Sequence, residues 1–463
     1  MSEFIPNPVR GKEVFELDRK HVFHSWSAQA QISPLPVATG KGSYFWDFDG
    51  KRYLDFSCQL VFTNIGFQHP KVVSAIQKQA ELLSTVAPQV ANDARGEAAK
   101  RIVELAGAHH EKVFFTNGGA DGIENAIRMA RLHTGRHKVL SFYRSYHGNT
   151  TTAISATGDP RRWPNEFAYG HVHFFGPYTY RSAFWSQNEE QECQRALEHL
   201  ENVIIFEGPQ TIAAILIESV VGTAGVLIPP AGYLEGVRAL CDKYGILWIA
   251  DEVMSGFGRT GKWFGYQHSA AEPDLIVFAK GVNSGYVPLG GVVISGAVSA
   301  TFNDRVFPGG LTYSGHPLAC AAAVATIDVM KEEKIVEHAA DMGTRVIGPA
   351  LRELAKKHSV IGEVRGLGVF WALDLVKDRS SREPLAPYAG SSPAMNELNT
   401  EFWNGSSWTE LNDMATARYG GSPATYGSSS SALFGGGNIN PGIVATTEEW
   451  NAPPISIKTF TTS

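Results

Sequence analysis

No run of about 18 apolar residues occurs anywhere in the 463-residue chain, so no segment is suited to span a membrane. No basic block occurs either. With a formal net charge of −6, nucleic acids and acidic membrane surfaces are not expected partners. The N-terminal MSEFIPNPVRGKEVFELDRK lacks the apolar core of a secretory leader, and a cytoplasmic location is expected. Cysteine is scarce. Cys58, Cys193, Cys241 and Cys320 are scattered without C-x-x-C spacing and read as free thiols in a reducing compartment, with no metal site expected. What remains is ordinary for a globular protein, 43% hydrophobic and 19% charged, with length enough for one large and one small domain.

From about residue 60 to 310 two kinds of segment alternate. Short apolar runs occur at Val113–Phe115, Ala213–Ile217, Ile246–Ala250 and Leu275–Ala279. Between them lie helical patterns, as in Ala120–Thr134, where Ile123, Ala126, Ile127 and Ala130 share one face. Strands alternating with helices predict an α/β fold with a mainly parallel central sheet covered on both faces. Ligands collect at the carboxyl ends of such strands.

Three strand ends carry chemistry. GILWIADEV places Asp251 and Glu252 at one tip, and PDLIVFAKG places Lys280 at another. Their spacing suits one strand–connection–strand unit, so both tips can face one crevice. Taken singly, each is an ordinary solvated loop charge. A lysine at the tip of a buried strand is costly unless its pKa falls or it is covalently bound, and a desolvated lysine forms Schiff bases with carbonyls. The third end, KVFFTNGGADGIENAIRMAR, runs from strand through Asn117-Gly118-Gly119 into a helix. Glycines let backbone approach a ligand, and a helix start offers free N–H groups to a phosphate. By itself Asn-Gly-Gly is a common turn. Together the three ends describe a site for pyridoxal 5′-phosphate: Lys280 for the aldehyde, Gly118, Gly119 and Ala120 for the phosphate, and Asp251 to keep the ring nitrogen protonated.

Six stretches carry a resemblance: FTNGGADGIENAIRMARLHTG, YRSYHGNTT, the apolar strand ending in Glu218, LWIADEVMSGFGRTGKWF, FAKGVNSGYVPLGGVVIS and PGGLTYSGHPLACAAA. The chain resembles the class III pyridoxal-phosphate-dependent aminotransferases of fold type I, nearest to the omega-amino-acid–pyruvate branch, over roughly residues 10–402. The resemblance implies a transaminase that moves an amino group from an omega-amino acid or amine to a keto acid such as pyruvate, by a ping-pong mechanism through a Lys280 Schiff base. It implies that Lys280 also shuttles the proton, that Asp251 pairs with the ring nitrogen, and that Tyr146 and Val253 pack on opposite ring faces. Val253 would do so by lying on the same side of an extended chain as Asp251. His147 and Glu218 would sit beside the cofactor. Thr312 would reach the phosphate of a neighbouring subunit, so a homodimer with shared sites is implied. A large domain over 59–313 would be flanked by a small domain built from 1–58 and 314–402.

Two motifs are set aside. Gly256-Phe257-Gly258-Arg259-Thr260-Gly261-Lys262-Trp263 approaches a nucleotide P-loop, but Trp263 stands where Ser or Thr would hold magnesium. The sequon Asn404-Gly405-Ser406 has no meaning without secretion. After Phe402 the chain changes character. Residues 403–463 carry only Glu410, Asp413, Arg418, Glu448, Glu449 and Lys458 as charges and are rich in Gly and Ser, resembling a lone kelch-like blade or phage-tail-like repeat. In the resembling family this region carries an arginine that clamps the substrate carboxylate. The only arginine here is Arg418, in a setting that does not match. Two other readings therefore stand beside the transaminase: a cofactor-binding chimera of little or no activity with a truncated small domain, and an interaction module attached through its tail.

Overall fold

The apolar runs are strands in the computed structural model, which describes residues 4–165 and 168–388 and, beyond these, only six short strands between Glu401 and Val444. The expectations for 403–463, for a boundary at Phe402 and for Arg418 lie outside the described residues. A three-stranded antiparallel sheet comes first, β1 (Val37–Lys41), β2 (Tyr44–Asp47) and β3 (Arg52–Leu54). The central sheet has seven strands: β4 (His110–Thr116), β5 (Lys138–Phe142), β6 (His171–Phe174), β7 (Ile212–Glu218), β8 (Leu247–Asp251), β9 (Leu275–Phe278) and β10 (Gly290–Ser295). Their order is β4-β10-β9-β8-β7-β5-β6.

The sheet is mainly parallel, as expected. β5 pairs in parallel with β6 and β7, β7 with β8, and β8 with β9. β10 alone runs against its neighbours β9 and β4. Reversing direction twice leaves β4 parallel to β9, so the carboxyl ends of β4, β5, β7, β8 and β9 lie on one edge. β7, β8 and β9 are buried at every residue, which explains their unbroken apolar runs. The helix Gly119–Thr134 covers the sheet with Ile123, Ala126, Ile127 and Ala130, each at most 1% exposed. It stops at Gly135, whose left-handed φ of 69° lets its N–H return to Arg131 O. Among the described residues no helix is long and apolar enough to cross a membrane, and no His/Cys/Asp/Glu group is arranged to hold a metal ion.

A second small sheet, β11 (Ile361–Leu367), β12 (Phe370–Asp378) and β13 (Glu383–Pro384), is locked to the central sheet by buried charge. Asp374 on β12 accepts two bonds from Arg181, at 2.7 and 2.8 Å, and further bonds from Tyr178 Oη at 2.6 Å and Arg365 at 3.1 Å. Arg365 also donates to Gly225 O at 2.7 Å. The paired guanidinium groups hold the Asp374 carboxyl below its ordinary range against the opposing effect of burial. Removing one partner of such a network strands the others. Asp374→Ala, which strips Arg181 of its carboxylate partner and leaves Arg365 only Glu363, is expected to lower stability by about 3 kcal/mol, seen as a lower urea midpoint at unchanged slope.

Candidate active site

Parallel register sets the first pair. Glu218 stands opposite Asp251 at the ends of β7 and β8, and both are nearly inaccessible, at 4% and 3% exposed. Two buried acids side by side are tolerable only when each is bonded or one holds its proton. Glu218 accepts from the N–H groups of Tyr146, at 3.0 Å, and Gly222, at 2.8 Å. Burial, with the charge of Asp251 next, still pushes its carboxyl up to about 7. Asp251 accepts from His147 Nδ1 at 2.7 Å and from Val253 N–H at 3.0 Å. His147 Nε2 is buried and without a partner among the described residues. Glu252, next in the chain, is committed elsewhere. It accepts from Ser219 Oγ, Ser255 Oγ and the N–H groups of Gly265 and Tyr266, at 2.5 to 2.9 Å, and so anchors the turn beyond β8. Of the two acids at this tip, only Asp251 faces the other candidates.

Lys280 follows β9 by two residues and opens a short 3₁₀ turn, Lys280–Val282. Its φ of 47° is left-handed, an unfavourable conformation for any residue with a Cβ. Among the described residues its amine makes no hydrogen bond and no ion pair. Burial, followed by the charge of Arg259, lowers the amine to about 8, against the opposing pull of Asp251 and Glu218. A lysine titrating there is partly neutral near pH 7 and therefore nucleophilic.

The glycines close the third side. Gly118 is extended at the helix start, and a Cβ placed on it would meet nothing within 4 Å, so the space before it is open. A Cβ on Gly119 would lie 2.8 Å from Val253 Cγ2, and one on Gly148, at φ 132°, would lie 2.6 Å from Ala120 Cβ. The loops after β4, β5 and β8 therefore touch through Gly119, Ala120, Gly148 and Val253. Val253 reaches this place differently from the expectation. The chain is not extended past Asp251; it turns back at once, because the Asp251 carboxylate captures the Val253 N–H two residues on.

Tyr146 is half-buried after β5, with the Arg161 guanidinium 3.6 Å from its ring centroid. Arg161 is itself gripped by Asp159, Nε lying 3.1 and 2.9 Å from the two carboxylate oxygens. Thr312 is exposed on a turn whose neighbours are fixed by Ser314 Oγ to Phe115 O, 2.7 Å, and Arg95 to Gly315 O, 3.0 Å. Within the single chain it is not brought to the other candidates. Sequence reasoning missed Arg161, although Asp159-Pro160-Arg161 is a readable helix-start signature with Asp159 as the cap. It also missed Arg259, which lay in the stretch set aside as a loop.

The comparisons with known proteins decide the family. A family model described as "Aminotransferase class-III" matches residues 26–392. The chain is a class-III aminotransferase. The taurine–pyruvate aminotransferase of Bilophila wadsworthia is 35% identical over 394 residues, 81% of this chain and 84% of that protein. The 5-aminovalerate aminotransferase of Pseudomonas aeruginosa is 37% identical over 361 residues, 77% and 82% of the two chains. Among solved structures, taurine:2-oxoglutarate aminotransferase from Bifidobacterium kashiwanohense, in complex with PLP and glutamate, superposes with a TM-score of 0.81 at 46% identity, covering 85% of this chain and 89% of that one. An (S)-enantioselective omega-transaminase from Thermomicrobium roseum follows at 0.77 and 38% identity, covering 82% and 87%.

Class-III aminotransferases work with pyridoxal 5′-phosphate, and the aminotransferase's residues fit that group. Open space and free helix-start N–H groups lie at Gly118–Ala120, an unpaired amine is present at Lys280, and a buried carboxylate with spare lone pairs is present at Asp251. Because a Cβ on Gly119 pushes into Val253, Gly119→Ala is expected to weaken pyridoxal phosphate binding about tenfold, roughly 1.4 kcal/mol. Spectrophotometric titration of stripped protein measures this, and the urea midpoint of the stripped protein should stay near that of the wild type.

Proposed function

We propose that the aminotransferase moves an amino group from an omega-amino acid or amine to a keto acid such as pyruvate, both substrates using one pocket in turn. The observation that carries this reading is the unpaired, half-buried Lys280 amine near the hydrogen-bonded Asp251–His147 pair and the neighbouring Glu218. Relatives support the donor class, since taurine and 5-aminovalerate, named for two of them, each carry an amine at one end and an acid at the other.

Bound in this site, pyridoxal phosphate supplies an aldehyde for amino groups and a ring that draws electrons from the attached carbon. The remaining work belongs to the chain. Lys280 Nζ would hold the aldehyde of the bound cofactor. The same Nζ would serve as base and then acid, taking a proton from the donor carbon and delivering it to the cofactor carbon on the far side of the donor nitrogen. Asp251, oriented by His147 Nδ1, would face the ring nitrogen and keep its proton in place. Glu218 keeps the Tyr146 backbone in place and sits beside Asp251 as a second acid. Tyr146, with Arg161 behind it, and Val253 would hold the ring between them, and Gly118, Gly119 and Ala120 would offer N–H groups to the phosphate.

Two parts of the reading extend past one chain. Thr312, exposed on its turn, is proposed to complete the phosphate site of a second copy in a two-fold dimer. The central sheet and its helices, 59–313, are proposed as the cofactor domain, with 1–58 and 314–402 as the small domain, in a cytoplasmic enzyme. The shift in composition after Phe402 favours a second reading, a cofactor binder with slow turnover. Bleaching of the bound-cofactor absorbance by an omega-amino acid, and its return on adding pyruvate, separates the two.

Borohydride reduction and peptide mapping should place the cofactor label on Lys280; a label on another lysine overturns the assignment. Asp251→Asn keeps the size and removes the charge, so the chemical step should slow by about 10²-fold or more, with cofactor affinity changing less. Single-turnover absorbance measurements and equilibrium titration report the two effects separately.

A further inference from the structure

Three segments meet beneath Lys280. The first is the strap 57–69, the second the turn 254–261, and the third the lysine loop 279–286. Asn64 is the wedge between them. Its Nδ2 donates to Phe257 O at 2.8 Å and lies where a Cβ on Gly281 would have to go, while Phe257 Cβ closes the same space at 3.0 Å. Ile65 N–H donates to Ser284 Oγ at 3.2 Å, and Tyr286 Oη donates to Gly66 O at 3.1 Å. All three segments are strained. Cys58, Gln59, Val61, Gln68, Phe257, Lys280 and Ser284 have φ between 47° and 60°, a region that residues with a Cβ occupy only under constraint.

Arg259 is common to all of them. It is 7% exposed. Its guanidinium donates to Met254 O at 3.0 Å, to Val61 O at 2.8 Å and to Asn64 Oδ1, and its own carbonyl accepts from Val369 N–H at 3.0 Å, which ties in the small sheet. Its oxygen acceptors, Met254 O, Val61 O and Asn64 Oδ1, are all neutral. Among the described residues no carboxylate pairs with this buried charge, a costly arrangement unless the charge has a use.

The other groups around Lys280 are matched. Asp251 on β8 is bonded to His147, Glu218 on β7 accepts two N–H groups, and Arg161 on the turn Pro160–Arg162 is gripped by Asp159. The Cys58 thiol on the strap faces Arg259 itself, and Tyr146 lies under Arg161. Arg259 is therefore the cation near Lys280 whose field no acid cancels.

We infer that Arg259 is a positioning residue for Lys280, seating its loop through Asn64 and keeping a second positive charge off its amine. The inference rests on the reading of Lys280 as the cofactor-bearing lysine. It is consistent with the lowering of the Lys280 amine, in which Arg259 ranks directly after burial.

The test compares full-length wild type, Arg259→Gln, Arg259→Lys and Asn64→Ala. In stripped protein, competitive acetylation with peptide mapping reads the pH at which Lys280 becomes reactive. In cofactor-loaded protein, the pH dependence of the visible absorbance reads the same site without turnover. The wild-type acetylation midpoint is expected near pH 8. Arg259→Gln should raise both midpoints by about one pH unit, of the size expected for removing a nearby charge. Arg259→Lys, which keeps the charge, should leave them in place, and Asn64→Ala, which loosens the loop but keeps the arginine, should move them less than Arg259→Gln does. Equal shifts in the Gln and Lys variants, no shift in Arg259→Gln, or a wild-type midpoint near pH 10 would overturn the inference. If Arg259→Gln does not fold, Arg259→Lys decides: an unchanged midpoint supports the inference and a rise of a full unit sinks it. Should borohydride mark another lysine, the functional reading fails, while the acetylation midpoints still report whether Arg259 controls Lys280.

Discussion

Asp251 is buried at the end of a strand that is itself buried on both faces, and water cannot satisfy it. Its two oxygens have to be served by the protein. One takes the His147 imidazole from the loop after β5, the other takes the Val253 N–H and thereby folds the chain back. Register then sets Glu218 beside it, and that second acid seizes the Tyr146 N–H. The requirement to satisfy one carboxylate thus draws the loops after β5, β7 and β8 to a single point. The Val253 side chain, delivered by the turn, meets the glycine at the start of the helix after β4. The pocket results from hydrogen-bond demand at strand ends rather than from any one loop's own preference.

Much of this was legible in the sequence because burial leaves a plain signature. A run such as Leu275–Phe278 has no polar residue to hide, so the first charge after it stands out, and Lys280 and Asp251 become candidates that way. The helix at Gly119–Thr134 was legible from the spacing of Ile123, Ala126, Ile127 and Ala130. Legibility failed where function depends on which way a side chain leaves the backbone. Asp251 and Glu252 are adjacent acids of equal appearance, and only the structure shows that one faces the pocket while the other ties down a turn. Val253 was expected in the right neighbourhood for the wrong reason, since an aspartate that captures a backbone N–H is invisible to strand periodicity. Arg259 and Asn64, 195 residues apart and bonded, could not be paired by any local pattern. Comparison with relatives supplies the chemistry of the class, while the placement of these side chains comes from the fold.

Charge placement in the pocket follows one logic. Acids that face the site are bonded by neutral or paired donors, so they stay where they are. The Lys280 amine, by contrast, has no hydrogen-bond partner among the described residues. Glu218, with its carboxyl pushed up to about 7 by burial and by Asp251 beside it, can hold or release a proton near neutrality.

The left-handed residues of the strap and the lysine loop have a consequence for motion. Each such conformation costs about 1–3 kcal/mol, met by the surrounding contacts. Opening either segment releases that cost, so the free energy needed to open it locally is smaller than for the strands it lies on. Amides between 58 and 68 and between 280 and 286 should therefore exchange with solvent deuterium well before those of β7, β8 and β9. Weakly protected backbone would then sit directly on strongly protected strands, and the lysine would ride on the boundary between them.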